Sequence, residues 1–143
     1  MPGDDPHDLA RFRSAQDADG TFERALAELR AGRKASHWMW FVFPQIAGLG
    51  FSPTAARFAI ASLDEARAYL ADPVLGPRLG TAAAVAADAP ATSAAALLGG
   101  IDATKLRSSM TLFHRAAPQE AVFRRVLDRW FDGEEDDATI SRL

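Results

Sequence analysis

Ser52-Pro53-Thr54-Ala55-Ala56-Arg57-Phe58-Ala59-Ile60-Ala61-Ser62-Leu63-Asp64-Glu65-Ala66-Arg67-Ala68-Tyr69-Leu70-Ala71-Asp72-Pro73 carries three helix starts within about twenty residues. Ser52 and Asp72 each stand before a proline, and a capping residue followed by proline at the first helical position begins a helix without losing a needed backbone donor. Between them Ser62-Leu63-Asp64-Glu65 has capping-box spacing, in which serine and glutamate satisfy free backbone donors of the first turn. No β-rich chain shows starts at this density, and the fold is predicted to be all-α.

The rest of the chain agrees. Residues 5–16 read as a first helix with Leu9 and Phe12 inward, and Asp17-Ala18-Asp19-Gly20 as a turn, with Thr21 as the next cap. Phe22, Ala25, Leu26 and Leu29 then fall on one face, ended by Gly32. The alanine-rich segment 79–97 is helix-forming but broken at Asp88-Ala89-Pro90, and Gly99-Gly100 closes it before Asp102 caps another helix. In that helix Leu106, Met110, Phe113 and Ala117 set the buried face. Lys105 and Ser109 form a stripe on its flank with Ser108 beside them, and Arg107, Thr111, His114 and Arg115 point more outward. After Pro118 a last long helix buries Val122, Val126, Leu127 and Trp130 or Phe131, and the acidic run 132–137 reads as a solvated turn. About seven helices are expected in one domain over residues 1–143, with acidic, flexible margins at 1–7 and 133–143. The short apolar run Trp40 to Phe43 also suits a strand.

Composition narrows the function. At 143 residues, 48% hydrophobic and 24% charged, the chain can bury a full core. With 16 Lys and Arg against 19 Asp and Glu it lacks the broad positive footprint of a nucleic-acid binder. Residues 30–115 nevertheless hold nine basic and five acidic side chains, so an anion is better accommodated there than at the ends. The absence of cysteine excludes disulfides, thiol nucleophiles and cysteine-based zinc sites. The acidic start Met1-Pro2-Gly3-Asp4-Asp5 has no apolar leader and no run is long enough to span a membrane, so a cytoplasmic, monomeric protein is expected.

Chemistry concentrates in Ser36-His37-Trp38-Met39-Trp40-Phe41-Val42-Phe43-Pro44-Gln45, which holds two of the three tryptophans. Such a run is either the packing centre of the core or the wall of a pocket. His37 has the titration range for general acid or base work, or simply hydrogen-bonds the backbone. Arg33 and Lys34, with Trp38 and Trp40, suit a phosphate and a stacked base, or else complement the preceding helix dipole. Lys105 with Ser108, Ser109 and Thr111 forms the second group: serines inside a helix beside a lysine either bind phosphate, with Ser109 activated, or bond back to their own helix. The order of Lys105 and Ser109 is the reverse of a Ser-x-x-Lys nucleophile. Gln45 and Gly48-Leu49-Gly50 offer polar groups to a ligand. No metal-ligand spacing and no cofactor fingerprint is present.

The two segments 36–50 and Lys105-Leu106-Arg107-Ser108-Ser109-Met110-Thr111-Leu112-Phe113, together with Ser62-Leu63-Asp64-Glu65-Ala66-Arg67-Ala68-Tyr69-Leu70 and Pro73-Val74-Leu75-Gly76, resemble the bacterial domain-of-unknown-function family numbered 1810. The resemblance runs from about residue 8 to 131 and implies a compact helical domain without an assigned activity. A calpastatin-like label sometimes attached to that family would imply a disordered protease inhibitor, and this apolar, periodic chain has the opposite composition. Two functions are carried forward. One is a pocket between 37–45 and 105–113 for a small anionic, nucleotide-derived ligand, with hydrolysis as an extension: His37, Lys105 and Ser109 for chemistry, and Arg33, Lys34, Trp38, Trp40, Gln45, Ser108 and Thr111 for binding. The other is a non-enzymatic protein-interaction module in which the aromatic run is only core. RNA binding is the least supported by the acidic total.

Overall fold

The computed structural model describes residues 5–143, so the first part of the expected acidic margin, residues 1–4, lies outside the described residues. The helices are α1 (Ala10–Asp17), α2 (Thr21–Arg30), α3 (Met39–Val42), α4 (Pro53–Phe58), α5 (Leu63–Ala71), α6 (Leu75–Ala87), α7 (Ala94–Leu98), α8 (Gly100–Ala116), α9 (Ala121–Phe131) and α10 (Asp137–Ile140). Among the described residues there is no strand, only an isolated parallel bridge between Ile46 and Ile60. The fold is all-α, and the expected count of about seven is near the mark, the surplus being single turns such as α3 and α10. The run Trp40 to Phe43 is therefore helical rather than extended over most of its length. Among the described residues no helix is long and apolar enough to cross a membrane.

The start signals work as their chemistry requires, with shifts that have identifiable causes. Ser52 and Ser62 accept the amides of Ala55 and Glu65 at 3.0 and 3.1 Å. Glu65 reaches one residue further back than a capping box does, to the Ala61 amide, because its other oxygen is held by Arg11 at 2.8 Å. Asp72 ends α5 instead of opening α6 directly, yet its carboxylate accepts the amides of Val74 and Leu75. Thr21 is not a cap: Gly20, left-handed at φ 67°, takes that position. Asp102 is not one either, since α8 begins at Gly100, and its carboxylate is engaged elsewhere.

Helix α8 is the centre of the domain and packs against α5, α7, α9 and α10. A ladder of rings runs through the core: Phe41 on Phe58, Phe58 on Phe12, Phe12 edge-on to Tyr69 at 5.1 Å, Tyr69 on Phe113, and Phe113 on Phe123 at 5.9 Å. Each successive ring comes from a different helix, so the ladder staples α3, α4, α1, α5, α8 and α9 together. The run 36–45 contributes only Phe41 to it, with Trp38 and Phe43 forming a separate buried pair. The packing centre is thus assembled from rings far apart in sequence. At the other end of the chain the acidic segment is docked rather than solvated. Asp136 accepts the hydroxyls of Ser108 and Thr139 at 3.0 and 2.6 Å, its amide donates to Thr111, and Thr139 is fully buried.

Candidate functional site

The aromatic run is placed by one carboxylate. Glu28, near the end of α2, accepts hydrogen bonds from the amides of Ala35 and Ser36, the Ser36 hydroxyl and the Trp38 indole N–H, the last at 2.9 Å. Burial works to raise its pKa, but the Ser36 hydroxyl, the Ala35 amide, the Trp38 indole and the Ser36 amide together outweigh it and hold the group at about 2. The loop leaving α2 is thereby folded back, with Trp38 buried and α3 starting immediately after it.

The same loop is tied to α8 by a shared acid. Asp102, in the first turn of α8, receives the Lys34 ammonium at 2.9 Å on one oxygen and the Lys105 ammonium at 3.1 Å on the other. Each lysine also lies over a tryptophan, Lys34 at 5.2 Å from the Trp38 ring centre and Lys105 at 4.0 Å from that of Trp40. Two cations on one anion leave a surplus positive charge. The three side chains are only 10–19% exposed, so removing the acid sets two poorly hydrated ammoniums against each other. Asp102→Ala is expected to lower stability by about 2 kcal/mol, below the cost of breaking a fully buried pair because some solvent screening remains. Thermal unfolding at low and high salt checks this, the deficit shrinking as salt rises.

Trp40, Gln45, Gly50 and Phe51 form one wall of a cleft of about 550 Å³, and the Lys105 and Ser108 side of α8 forms the other, with Asp136 and Ala138 at its end. Along α8 the lining residues are Ile101, Thr104, Lys105 and Ser108, an i, i+3, i+4, i+7 stripe on one side of the helix. Behind Trp40 lies a second, smaller cavity of about 250 Å³ walled by Ile46, Ala55, Phe58 and Ala59; Trp40, Gln45 and Gly50 line both spaces. Gly50 lets this happen, because a Cβ there would meet Ala55 at 2.7 Å and the Trp40 ring at 3.1 Å. The docked C-terminal segment also reaches the smaller cavity, where Arg142 donates to the carbonyl of its lining residue Gly48.

Of the residues expected from sequence, Trp40, Gln45, Lys105 and Ser108 meet at this cleft, and Lys34 stands behind it through Asp102. The others do not line it. His37 and Arg33 are exposed on the loop. Trp38 is 1% exposed, with its N–H on Glu28. Ser109 is sealed in the core with no hydrogen-bond partner for its hydroxyl among the described residues, because one position along α8 turns it from the cleft toward the interior. Thr111, expected to point outward, is buried and binds the Arg107 carbonyl and the Asp136 amide. Among the described residues, no group of three or more His, Asp or Glu is placed to hold a metal ion.

Several lining residues are absent from the sequence reading. Phe51 and Ile101, 97% and 77% exposed, rim the cleft as free apolar side chains. Ile101 was available as a signal, since it heads the stripe that contains Lys105 and Ser108. Asp136 had one too, because Asp136 and Thr139 stand at N-cap spacing. Phe51 has no sequence signal beyond being an aromatic in a glycine-rich turn.

No curated protein matches the chain. Among solved structures, it is similar to that of the conserved hypothetical protein Rv1873 from Mycobacterium tuberculosis, at 46% identity and a TM-score of 0.93 over 97% of this chain and 98% of that one. Residues 6–143 match the family described as "Protein of unknown function (DUF1810)", and with nearly the whole length covered the chain belongs to that family.

Proposed function

We propose that the cleft between Trp40 and α8 binds a small anionic, nucleotide-derived molecule. The observation that carries this reading is the meeting of Trp40, Gln45, Lys105 and Ser108, drawn from two distant segments, on one space of about 550 Å³, a volume suited to a small ligand. Lys105 takes the phosphate or carboxylate, its charge left in surplus by the Lys34–Asp102–Lys105 arrangement. Asp136 limits how much negative charge the cleft accepts. Its hydrogen bonds from Ser108 and Thr139 all fall on Oδ2, and the second oxygen is suited to a ligand hydroxyl, as an acidic residue binds a ribose. The reading is of binding, not hydrolysis: His37 and Ser109, the candidates for proton transfer and attack, do not line the space, and the Ser108 hydroxyl is committed to the Thr104 carbonyl and Asp136.

Thermal-shift titration with ribonucleoside 5′-monophosphates tests it. A ligand at about a hundred times its Kd stabilises by about 2.7 kcal/mol, and Lys105→Ala is expected to weaken binding at least about tenfold through loss of a charge-assisted hydrogen bond. The variant should fold, because Asp102 keeps Lys34. No shift of the parent with any of these compounds at millimolar concentration overturns the reading. A second reading, a face for a protein partner, is favoured by the exposed Phe51 and Ile101; it requires that Phe51→Ser and Ile101→Ser abolish a complex with that partner.

A further inference from the structure

Gln45 is only 8% exposed and its carboxamide makes no hydrogen bond among the described residues, yet its polar atoms are not sealed from solvent as those of Ser109 and His114 are, because the side chain opens onto the cavities. An amide held at a cavity border without a protein partner keeps its donor and acceptor free for whatever enters that space. The backbone of Gln45 leaves it little choice of direction. Pro44 precedes it, its carbonyl accepts the Ile60 amide at 2.8 Å, and the Ala47 amide donates to the Ile60 carbonyl at 2.8 Å, so the chain is clamped on both sides. The side chain lines both cavities.

The smaller cavity has apolar walls from Ile46, Ala55, Phe58 and Ala59, and Gln45 supplies an unpaired donor and acceptor at its border with the cleft. The Trp40 face beneath Lys105 is already occupied by the ammonium at 4.0 Å, which leaves the side of the indole away from that charge for a flat ring. We infer that Gln45 is the specificity-determining residue of this site: its carboxamide pairs with the adjacent donor and acceptor on the edge of a nucleobase seated in the smaller cavity against Trp40, while the ligand's phosphate reaches Lys105 in the larger one. A carboxamide presents one donor and one acceptor side by side and so recognises such an edge in two hydrogen bonds at once. The inference rests on the nucleotide reading of the cleft and assigns the base-binding half of it.

Isothermal titration of the full chain with adenosine, guanosine, cytidine and uridine 5′-monophosphates and with ribose 5-phosphate, repeated on Gln45→Leu, tests it. The parent is expected to bind at least one nucleotide about tenfold or more tighter than ribose 5-phosphate, the discrimination a bidentate base contact provides. In Gln45→Leu that preference should vanish with the ribose 5-phosphate affinity unchanged. Because the amide has no partner among the described residues, the variant should melt without ligand at the parental temperature or above it. Equal binding of ribose 5-phosphate and all nucleotides by the parent overturns the role of Gln45 and leaves the phosphate site standing. An unaltered preference in Gln45→Leu, or a clearly lowered melting temperature, also overturns it. If none of these compounds binds the parent, both readings fall.

Discussion

Glu28→Ala is expected to cost about 3 kcal/mol of folding stability, because it strips the acceptor from four donors, one of them the indole N–H of the buried Trp38. The loop amides of Ala35 and Ser36 can turn to water; the Trp38 indole cannot without unseating the ring from Phe43. Glu28→Gln keeps a carbonyl oxygen for the amides and the indole, and the Ser36 hydroxyl can reverse to accept from the new amide. Its cost is expected to be about 1 kcal/mol. The pH dependence separates charge from shape. The folded group sits at about 2, below its ordinary 4.5, so its electrostatic contribution is complete above pH 4.5 and is lost as pH falls toward 2. Chemical denaturation between pH 7 and pH 2.5 should therefore show the parent losing stability faster than Glu28→Gln, the two converging in acid. Parallel curves would mean that Glu28 acts through packing alone.

Gly76→Ala is expected to be as damaging for a different reason. Near the start of α6 a Cβ at this position would lie 2.1 Å from the Leu70 carbonyl oxygen, and a backbone atom cannot step aside as a side-chain tip can. The turn between α5 and α6 is short and anchored by Asp72 and Arg13, whose carboxylate and guanidinium meet at 2.6 Å. Relief must come from separating the two helices, and α5 is packed on α8 while α6 is packed on α9. A loss of about 3 kcal/mol follows from overpacking of this kind, or on the order of 10 °C in Tm for a domain this size. Calorimetry of the variant checks it. The same substitution at Gly80, where an added Cβ meets nothing within 4 Å, should be neutral or slightly stabilising, since alanine is the better helix former.

Helix existence was legible because caps, prolines and apolar spacing are local signals, and at Ser52 and Ser62 the side chains make the bonds their positions imply. What failed was the assignment of side chains to faces where several polar residues stand in succession. On α8, Ser108 and Ser109 are adjacent in sequence and one turns to the cleft while the other turns to the core. Beginning the stripe at Ile101 separates them, since Ile101, Thr104, Lys105 and Ser108 share a side and Ser109 falls off it. The aromatic run misled in another way. A local density of rings suggested a local centre, whereas the core ladder takes Phe12, Phe58, Tyr69, Phe113 and Phe123 from separate helices, a long-range arrangement that spacing does not encode. The roles of Glu28, Asp102 and Asp136 are long-range in part. Lys105 and Thr139 stand three residues from their acids, but only folding brings the Trp38 indole to Glu28, Lys34 to Asp102 or Ser108 to Asp136.

The three tryptophans provide the most direct measurement of the binding claim. The indole N–H groups of Trp38 and Trp130 donate to Glu28 and to the Ala86 carbonyl, away from the cleft, whereas the ring of Trp40 walls both cavities. In a proton–nitrogen correlation spectrum, titration with ribonucleoside 5′-monophosphates should shift the Trp40 indole and the Gln45 carboxamide signals together and saturably, with Trp38 and Trp130 unmoved. Movement of the Trp38 or Trp130 signals in place of Trp40, or no saturable movement of any of them, contradicts a nucleotide site at this cleft.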